Sequence, residues 1–121
     1  MGQLDGRVAI VTGGAISMGK AFARTLAREG ASIAIADIAD GSDAAADIES
    51  EFGVQAMAGT VDVSDESQVS VFVDQVMQKF GRIDILVNNA AMFATLPVQP
   101  HADYATDLWD QVMAVNVRGP F

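Results

Sequence analysis

Cysteine is absent from the 121 residues, and histidine occurs once. No disulfide framework, thiolate metal site or cysteine nucleophile can therefore form, and one imidazole cannot build a His-rich zinc site, so no metal is expected. Positive charge is also scarce: 7 Lys and Arg stand against 16 Asp and Glu, for a formal net charge of -9. That is the wrong sign for holding a phosphate backbone, and nucleic acid is not expected as a partner. No stretch reaches the roughly 18 apolar residues of a membrane span. The opening residues, from Met1 to Arg7, carry neither a basic leader nor a following apolar segment, so a cytoplasmic chain is expected.

Half of the residues are hydrophobic and 19% are charged, a balance that suits a folded chain rather than a disordered one. The length fits at most one domain of ordinary size. Along it, short β-branched runs alternate with segments of helical spacing. Arg7 to Thr12 is nearly all apolar and ends in Gly13-Gly14, which predicts a strand buried on both faces. Ser17 to Glu29 carries Met18, Phe22, Ala23, Leu26 and Ala27 at helical intervals, with Gly30 as a helix stop. A second strand is predicted over Ser32 to Asp37, then a helix with Ala45, Ile48 and Phe52 on its apolar face, closed by Gly53. A third run, Val54 to Val63, leads into Ser64-Asp65-Glu66, which supplies N-cap and acidic first-turn residues. Val69, Phe72, Val73, Val76, Met77 and Phe80 then mark an amphipathic helix stopped by Gly81, followed by a strand over Ile83 to Val87. After a loop with Pro97 and Pro100, a last amphipathic segment begins near Thr106. Repeated strand-helix alternation with short connections predicts right-handed βαβ units and a parallel α/β sheet with helices on both faces.

The turn Thr12-Gly13-Gly14-Ala15-Ile16-Ser17-Met18-Gly19 joins the first strand to the first helix. Glycines let the backbone turn tightly and approach a ligand, while the first helical amides point at an anion. Glycine also punctuates plain strand-helix connections, so the turn by itself leaves both readings open. Two phosphate chemistries compete. The triphosphate loop G-x-x-x-x-G-K-[ST] is matched from Gly14 to Lys20 but fails at Ala21, which has no hydroxyl for Mg²⁺. The dinucleotide alternative needs no metal and asks for an acid at the tip of the second strand, about 20 residues on. Asp37 stands there, although aspartate is common in loops after strands. A carboxylate at that tip repels a 2′-phosphate, which favours NAD over NADP, and no Arg or Lys lies between Arg28 and Lys79.

Together these residues resemble the short-chain dehydrogenase/reductase family, whose nucleotide turn reads T-G-x-x-x-G-x-G. Thr12, Gly13 and Gly19 match, and Ser17 replaces the middle glycine. Asp62-Val63 resembles the pair that contacts adenine, Asn88-Asn89-Ala90-Ala91 resembles N-N-A-G with Ala for Gly, and Asn116-Val117-Arg118-Gly119 resembles the N-x-x-G segment. The resemblance implies an incomplete Rossmann-type, doubly wound sheet of about four strands in the order 3-2-1-4. It implies NAD as cofactor, with Thr12, Gly13, Ser17, Met18, Gly19, Asp37, Ile38, Asp62, Val63, Asn89, Ala90 and Ala91 as cofactor-binding residues and Asn116 as a member of the catalytic tetrad. Read without the resemblance, Asp62 could simply cap the turn into the third helix. Asn88 and Asn89 could be ordinary turn residues, and Asn116, in one stripe with Trp109, Val112 and Met113, could bond a neighbouring carbonyl.

Hydride transfer to a carbonyl needs a proton donor for the developing alkoxide, and the family uses Tyr-x-x-x-Lys with an upstream Ser. Here the only tyrosine, Tyr104, is followed four residues later by Leu108; the only lysines are Lys20 and Lys79, and no serine follows Ser70. The chain is therefore expected to be the N-terminal, dinucleotide-binding half of one such domain, inactive by itself, with the Ser, Tyr and Lys beyond Phe121. The resemblance further implies a small alcohol or ketone substrate and a homo-oligomer, dimer or tetramer, for the complete enzyme. A non-catalytic nucleotide-binding module is the alternative, and a triphosphate-binding protein a weaker one. A last helix with few covering partners and an open edge at the fourth strand are expected too.

Overall fold

The computed structural model describes residues 2–121. The strands are β1 (Val8–Thr12), β2 (Ser32–Asp37), β3 (Ala56–Thr60) and β4 (Ile85–Val87). Between and after them lie the helices α1 (Ser17–Arg28), α2 (Ser42–Phe52), α3 (Glu66–Phe80) and α4 (Thr106–Met113). The four strands make one parallel sheet in the order β3-β2-β1-β4, as the sequence implies. Because β4 joins the far side of β1, the strand order reverses between β1 and β4, and their carboxyl ends open on a crevice.

Alternation along β1 and β2 builds two cores. Ala9, Val11, Ile33 and Ile35 face α1 and α2, where Ala23, Ala27, Ala44, Ala45 and Ile48 let the helix backbones come close. Val8, Ile10, Ala34 and Ala36 face α3 and meet Val61, Phe72 and Val76. Gly59 on β3 makes room for Phe72, whose ring would lie 2.6 Å from a Cβ there. All five residues of β1 are buried, as a central parallel strand requires.

Beyond shifts of one residue, the elements depart from the sequence expectation at β3, β4 and the end of α4. β3 is shorter than the run Val54 to Val63, because beyond Thr60 the chain is drawn into the Asp62 turn. β4 starts at Ile85 rather than Ile83, because Asp84 is held in an ionic cluster. Asp84 accepts both a two-pronged contact from Arg82 (2.8 and 2.6 Å) and the Val8 N–H (2.9 Å), with Arg7 at 3.3 Å. The Arg82 fork above all, then the Val8 amide, holds the Asp84 carboxyl well below the usual carboxylate range. This clip fastens β1 to β4 at the end of the sheet opposite the crevice. Lastly, α4 passes into a π turn over Ala114–Arg118, where the Gly119 N–H reaches back to the Ala114 carbonyl at 2.8 Å.

Among the described residues β4 pairs only with β1, and Leu86 is 54% exposed. Trp109, Met113 and Val117 are also exposed on α4 and its π extension. No described helix is long and apolar enough to cross a membrane.

Candidate functional site

The carboxyl ends of β1, β2 and β4 bring the glycine turn, Asp37 and the Asn89–Ala91 segment together. Thr12, the last residue of β1, is buried, and its hydroxyl makes the first link. It accepts the N–H groups of Asn89 and Ala90, each at 3.0 Å, and donates to the Val87 carbonyl at 3.3 Å. The hydroxyl thus fixes the segment after β4 against the turn.

Gly13 follows with a left-handed φ of 66°, which glycine adopts without strain. Its N–H donates to Ala36 at 2.7 Å and its carbonyl accepts Asn89 Nδ2 at 3.2 Å. A Cβ on Gly13 would stand 2.7 Å from that same Nδ2. At Gly19, buried in the first turn of α1, a Cβ would fall on the Gly13 carbonyl oxygen and 2.5 Å from Asn89 Nδ2. Both glycines are therefore needed for α1 to start hard against the turn.

The start of α1 is unlike that of the other α-helices. Asp43, Glu66 and Asp107 put an acid in the first turns of α2, α3 and α4, and Asp65 caps α3 by accepting the Ser67 and Gln68 amides. The first turn of α1 holds no acid and receives no side-chain cap. In a chain so rich in carboxylates, the positive pole of this helix carries none of its own.

Asp37, at the tip of β2, is 9% exposed and turned toward the glycine turn. Its Oδ2 accepts the Ala15 N–H at 3.1 Å and its Oδ1 the Ala39 N–H at 3.0 Å. A carboxylate has about four lone-pair sites, so two of them stay open to further donors. The Ala15 amide was not readable as a partner, since it reaches Asp37 only when two adjacent strands end level. Met18 and Ile38 flank this mouth as exposed apolar residues, 67% and 76% accessible.

Asp62 stands after β3. Its Oδ1 accepts both the N–H (2.9 Å) and the hydroxyl (2.6 Å) of Ser64, so it does shape the turn into α3, and its other oxygen is left for a second partner. No bond joins Asp62 directly to the glycine turn among the described residues. Val63 lies under Gly119, where a Cβ would come 2.8 Å from Val63 Cγ2. Asn116 sits in the π turn and grips one residue from both sides: Oδ1 accepts the Met92 N–H at 2.7 Å and Nδ2 donates to the Met92 carbonyl at 3.1 Å. This pair anchors the segment that carries Ala90 and Ala91. Met92 itself had no signal in the sequence, because only its backbone takes part. Ser17, in the place of a glycine, keeps a left-handed φ of 53°, the only described non-glycine to do so.

A glycine turn, a helix start without an acid and a buried carboxylate thus meet at one end of the sheet. The short chain dehydrogenase family matches residues 7–121. The chain belongs to the short-chain dehydrogenase family. It is 40% identical over 117 residues to a sorbitol dehydrogenase from Cereibacter sphaeroides, covering 97% of this chain and 44% of that protein. It is 37% identical over 123 residues to a cyclopentanol dehydrogenase from Comamonas testosteroni, covering 100% of this chain and 48% of that protein. Among solved structures, an NAD+-bound xylitol dehydrogenase superposes with a TM-score of 0.88 at 37% identity, over 97% of this chain and 45% of the other. The chain thus spans less than half the length of these three relatives.

Proposed function

We propose that the chain is the dinucleotide-binding part of an NAD-dependent oxidoreductase that moves hydride between nicotinamide and an alcohol or carbonyl substrate. The observation that carries this reading is the Asp37 carboxylate, fixed 3.1 Å from the Ala15 amide beside an acid-free helix start. The cradle formed by Gly13 and Gly19 fits a diphosphate, since its backbone can approach a ligand where a Cβ would block the turn. The amides at the start of α1, with Ser17 and Met18 beside them, hold that diphosphate. The open lone pairs of Asp37 accept the hydroxyls of the adenosine ribose, and Ile38, Asp62 and Val63 line the adenine. Asn89, Ala90 and Ala91 lie along the nicotinamide-side ribose, with Thr12 fixing their backbone. Asn116 keeps that segment in place through Met92.

When bound, the nicotinamide supplies the hydride donor or acceptor. The chain's own part is to hold and orient it. No Tyr-x-x-x-Lys occurs among these 121 residues, so alcohol oxidation by them alone is not expected. With a carboxylate at the ribose and no Lys or Arg from residue 29 to 78, NAD is preferred over NADP. The complete enzyme acts in the cytoplasm on a small alcohol or ketone, as a homo-oligomer, without nucleic acid or membrane as a partner. A triphosphate site is disfavoured by Ala21 and by Lys20, whose Nζ is paired with Asp47 at 3.7 Å. Fluorescence titration separates the readings: NADH is expected to bind this chain and Mg-ATP is not. Mg-ATP binding without NADH binding would overturn the proposal.

A further inference from the structure

The π turn after α4 touches two separate segments of the site. Through Asn116 it holds the Met92 backbone, and with it the segment that carries Ala90 and Ala91. Through Arg118 it reaches the turn after β3: Nη2 donates to the Ser64 carbonyl at 3.3 Å, across 54 residues of chain. Gly119 packs on that same turn, where a Cβ would stand 2.8 Å from Val63 Cγ2.

The turn carrying Asp62 has its shape from its own bonds. Ser64 gives both its N–H and its hydroxyl to Asp62 Oδ1, the Asp65 N–H donates to the Asp62 carbonyl at 3.0 Å, and the Asp62 N–H donates to Gln68 Oε1 at 2.8 Å. The Val61 N–H, donating to the Asp37 carbonyl at 2.9 Å, is the last tie of this strand to the sheet. Beyond it, the hydrogen bonds of residues 62–65 stay within residues 62–69 among the described residues, with the Arg118 bond as the exception. Arg118 makes that bond in a chain of 16 Asp and Glu, yet it forms no ion pair among the described residues. Its guanidinium goes to a neutral carbonyl on the turn instead.

We propose that Arg118 is a positioning residue for the adenine side of the site, its guanidinium holding the Asp62–Ser64 turn against the π turn so that Asp62 and Val63 meet the base. This rests on the dinucleotide reading. One irregular turn then sets both sides of the ligand, the nicotinamide side through Asn116 and the adenine side through Arg118.

Adenosine monophosphate, which carries only the adenine half, separates the two sides. Its dissociation constant, read by competition against NADH fluorescence, and that of NADH itself are measured for the unaltered chain and for Arg118→Met, which keeps a long stem and loses the donor. Both ligands are expected to bind Arg118→Met more weakly by the same factor of about 5, the size of one ordinary hydrogen bond. The loss is expected to persist in 1 M salt, where the screening length is only about 3 Å and a missing positive charge no longer counts. The melting temperature without ligand is expected to move by less than about 3 °C, so a general loss of structure would not imitate the result. Unchanged binding of adenosine monophosphate, a loss seen with NADH alone, a loss that vanishes in 1 M salt, or failure of adenosine monophosphate to displace NADH at all overturns the assignment of Arg118 and leaves the dinucleotide site standing. An unaltered, cooperatively melting chain that takes neither ligand overturns both.

Discussion

Replacing Gly19 by alanine adds one methyl group at the tightest contact of the glycine turn. The new Cβ falls on the Gly13 carbonyl oxygen and 2.5 Å from Asn89 Nδ2, whereas ordinary van der Waals contact begins at 3.4 Å. Helix α1 must therefore back away from the turn, and the Asn89–Gly13 bond goes with it. Overpacking of this kind costs about 3 kcal/mol, at the upper end of its usual range. The helix propensity of alanine returns about 1 kcal/mol. The net loss of about 2 kcal/mol lowers the melting temperature by roughly 8 °C for a chain of this length. Gly14→Ala is the internal comparison. There φ is not left-handed and the nearest atoms, the Val11 carbonyl oxygen and the Ile35 methyl, stand at 3.1 and 3.2 Å, so small shifts suffice. Its loss is expected below about 1 kcal/mol. Circular dichroism melts of both variants, with an NADH titration at a temperature where each is folded, make the test. Gly19→Ala is expected to lose affinity as well as stability, because the moved helix start carries the amides proposed to hold the diphosphate. A Gly19→Ala melt within 1 °C or so of the unaltered chain, or a larger loss from Gly14→Ala, would refute the reasoning.

Other perturbations probe separate parts of the account. Asp37→Ala is expected to weaken NADH binding and to narrow the preference over NADPH, both read from fluorescence titrations; an unchanged preference removes Asp37 from the ribose. Asp84 has its carboxyl held low by the Arg82 fork and the Val8 amide, so its contribution is present above the unfolded carboxylate range, near pH 4, and fades as pH falls below it. Urea melts from pH 7 to pH 2 are expected to show a smaller acid loss for Asp84→Asn than for the unaltered chain, and parallel curves would contradict the clip. Asn116→Ala strips both partners from the Met92 backbone, at a cost of about 1–3 kcal/mol. Hydrogen exchange at the Met92 amide is expected to speed up selectively, and unchanged protection would show that the grip is not what holds the segment.

Much of the architecture is legible from local patterns. Apolar runs of β-branched residues bounded by glycine marked β1 and β2, and the stripe from Val69 to Phe80 marked α3, because burial on two faces or one imposes those periods. The turn and Asp37 could be singled out because phosphate binding demands glycine at defined points and an acid at the next strand tip. What could not be read depends on contacts between distant segments. Trp109, Val112, Met113 and Asn116 keep an α-helical spacing, so the π turn over Ala114–Arg118, from which Asn116 holds Met92, left no mark in it. The shortening of β4 comes from Asp84 meeting Arg7 and Val8 across the sheet. Two residues turned out to have fuller structural roles than a cofactor contact alone would need. The Thr12 hydroxyl is engaged with three backbone groups, and one Asp62 oxygen is taken by Ser64. The strain at Ser17 could be foreseen as a missing glycine, but not that the chain would keep the glycine conformation.

The central claim is that the carboxyl ends of β1, β2 and β4 form one dinucleotide site. Amide chemical-shift mapping with NAD+ tests it most directly. Titration is expected to move the amides of Ala15, Gly19, Ala39, Asn89 and Ala90 together, with one dissociation constant, and to leave the Asp84 clip unmoved. Shifts confined to the exposed face of α4, or none at millimolar NAD+, would contradict it.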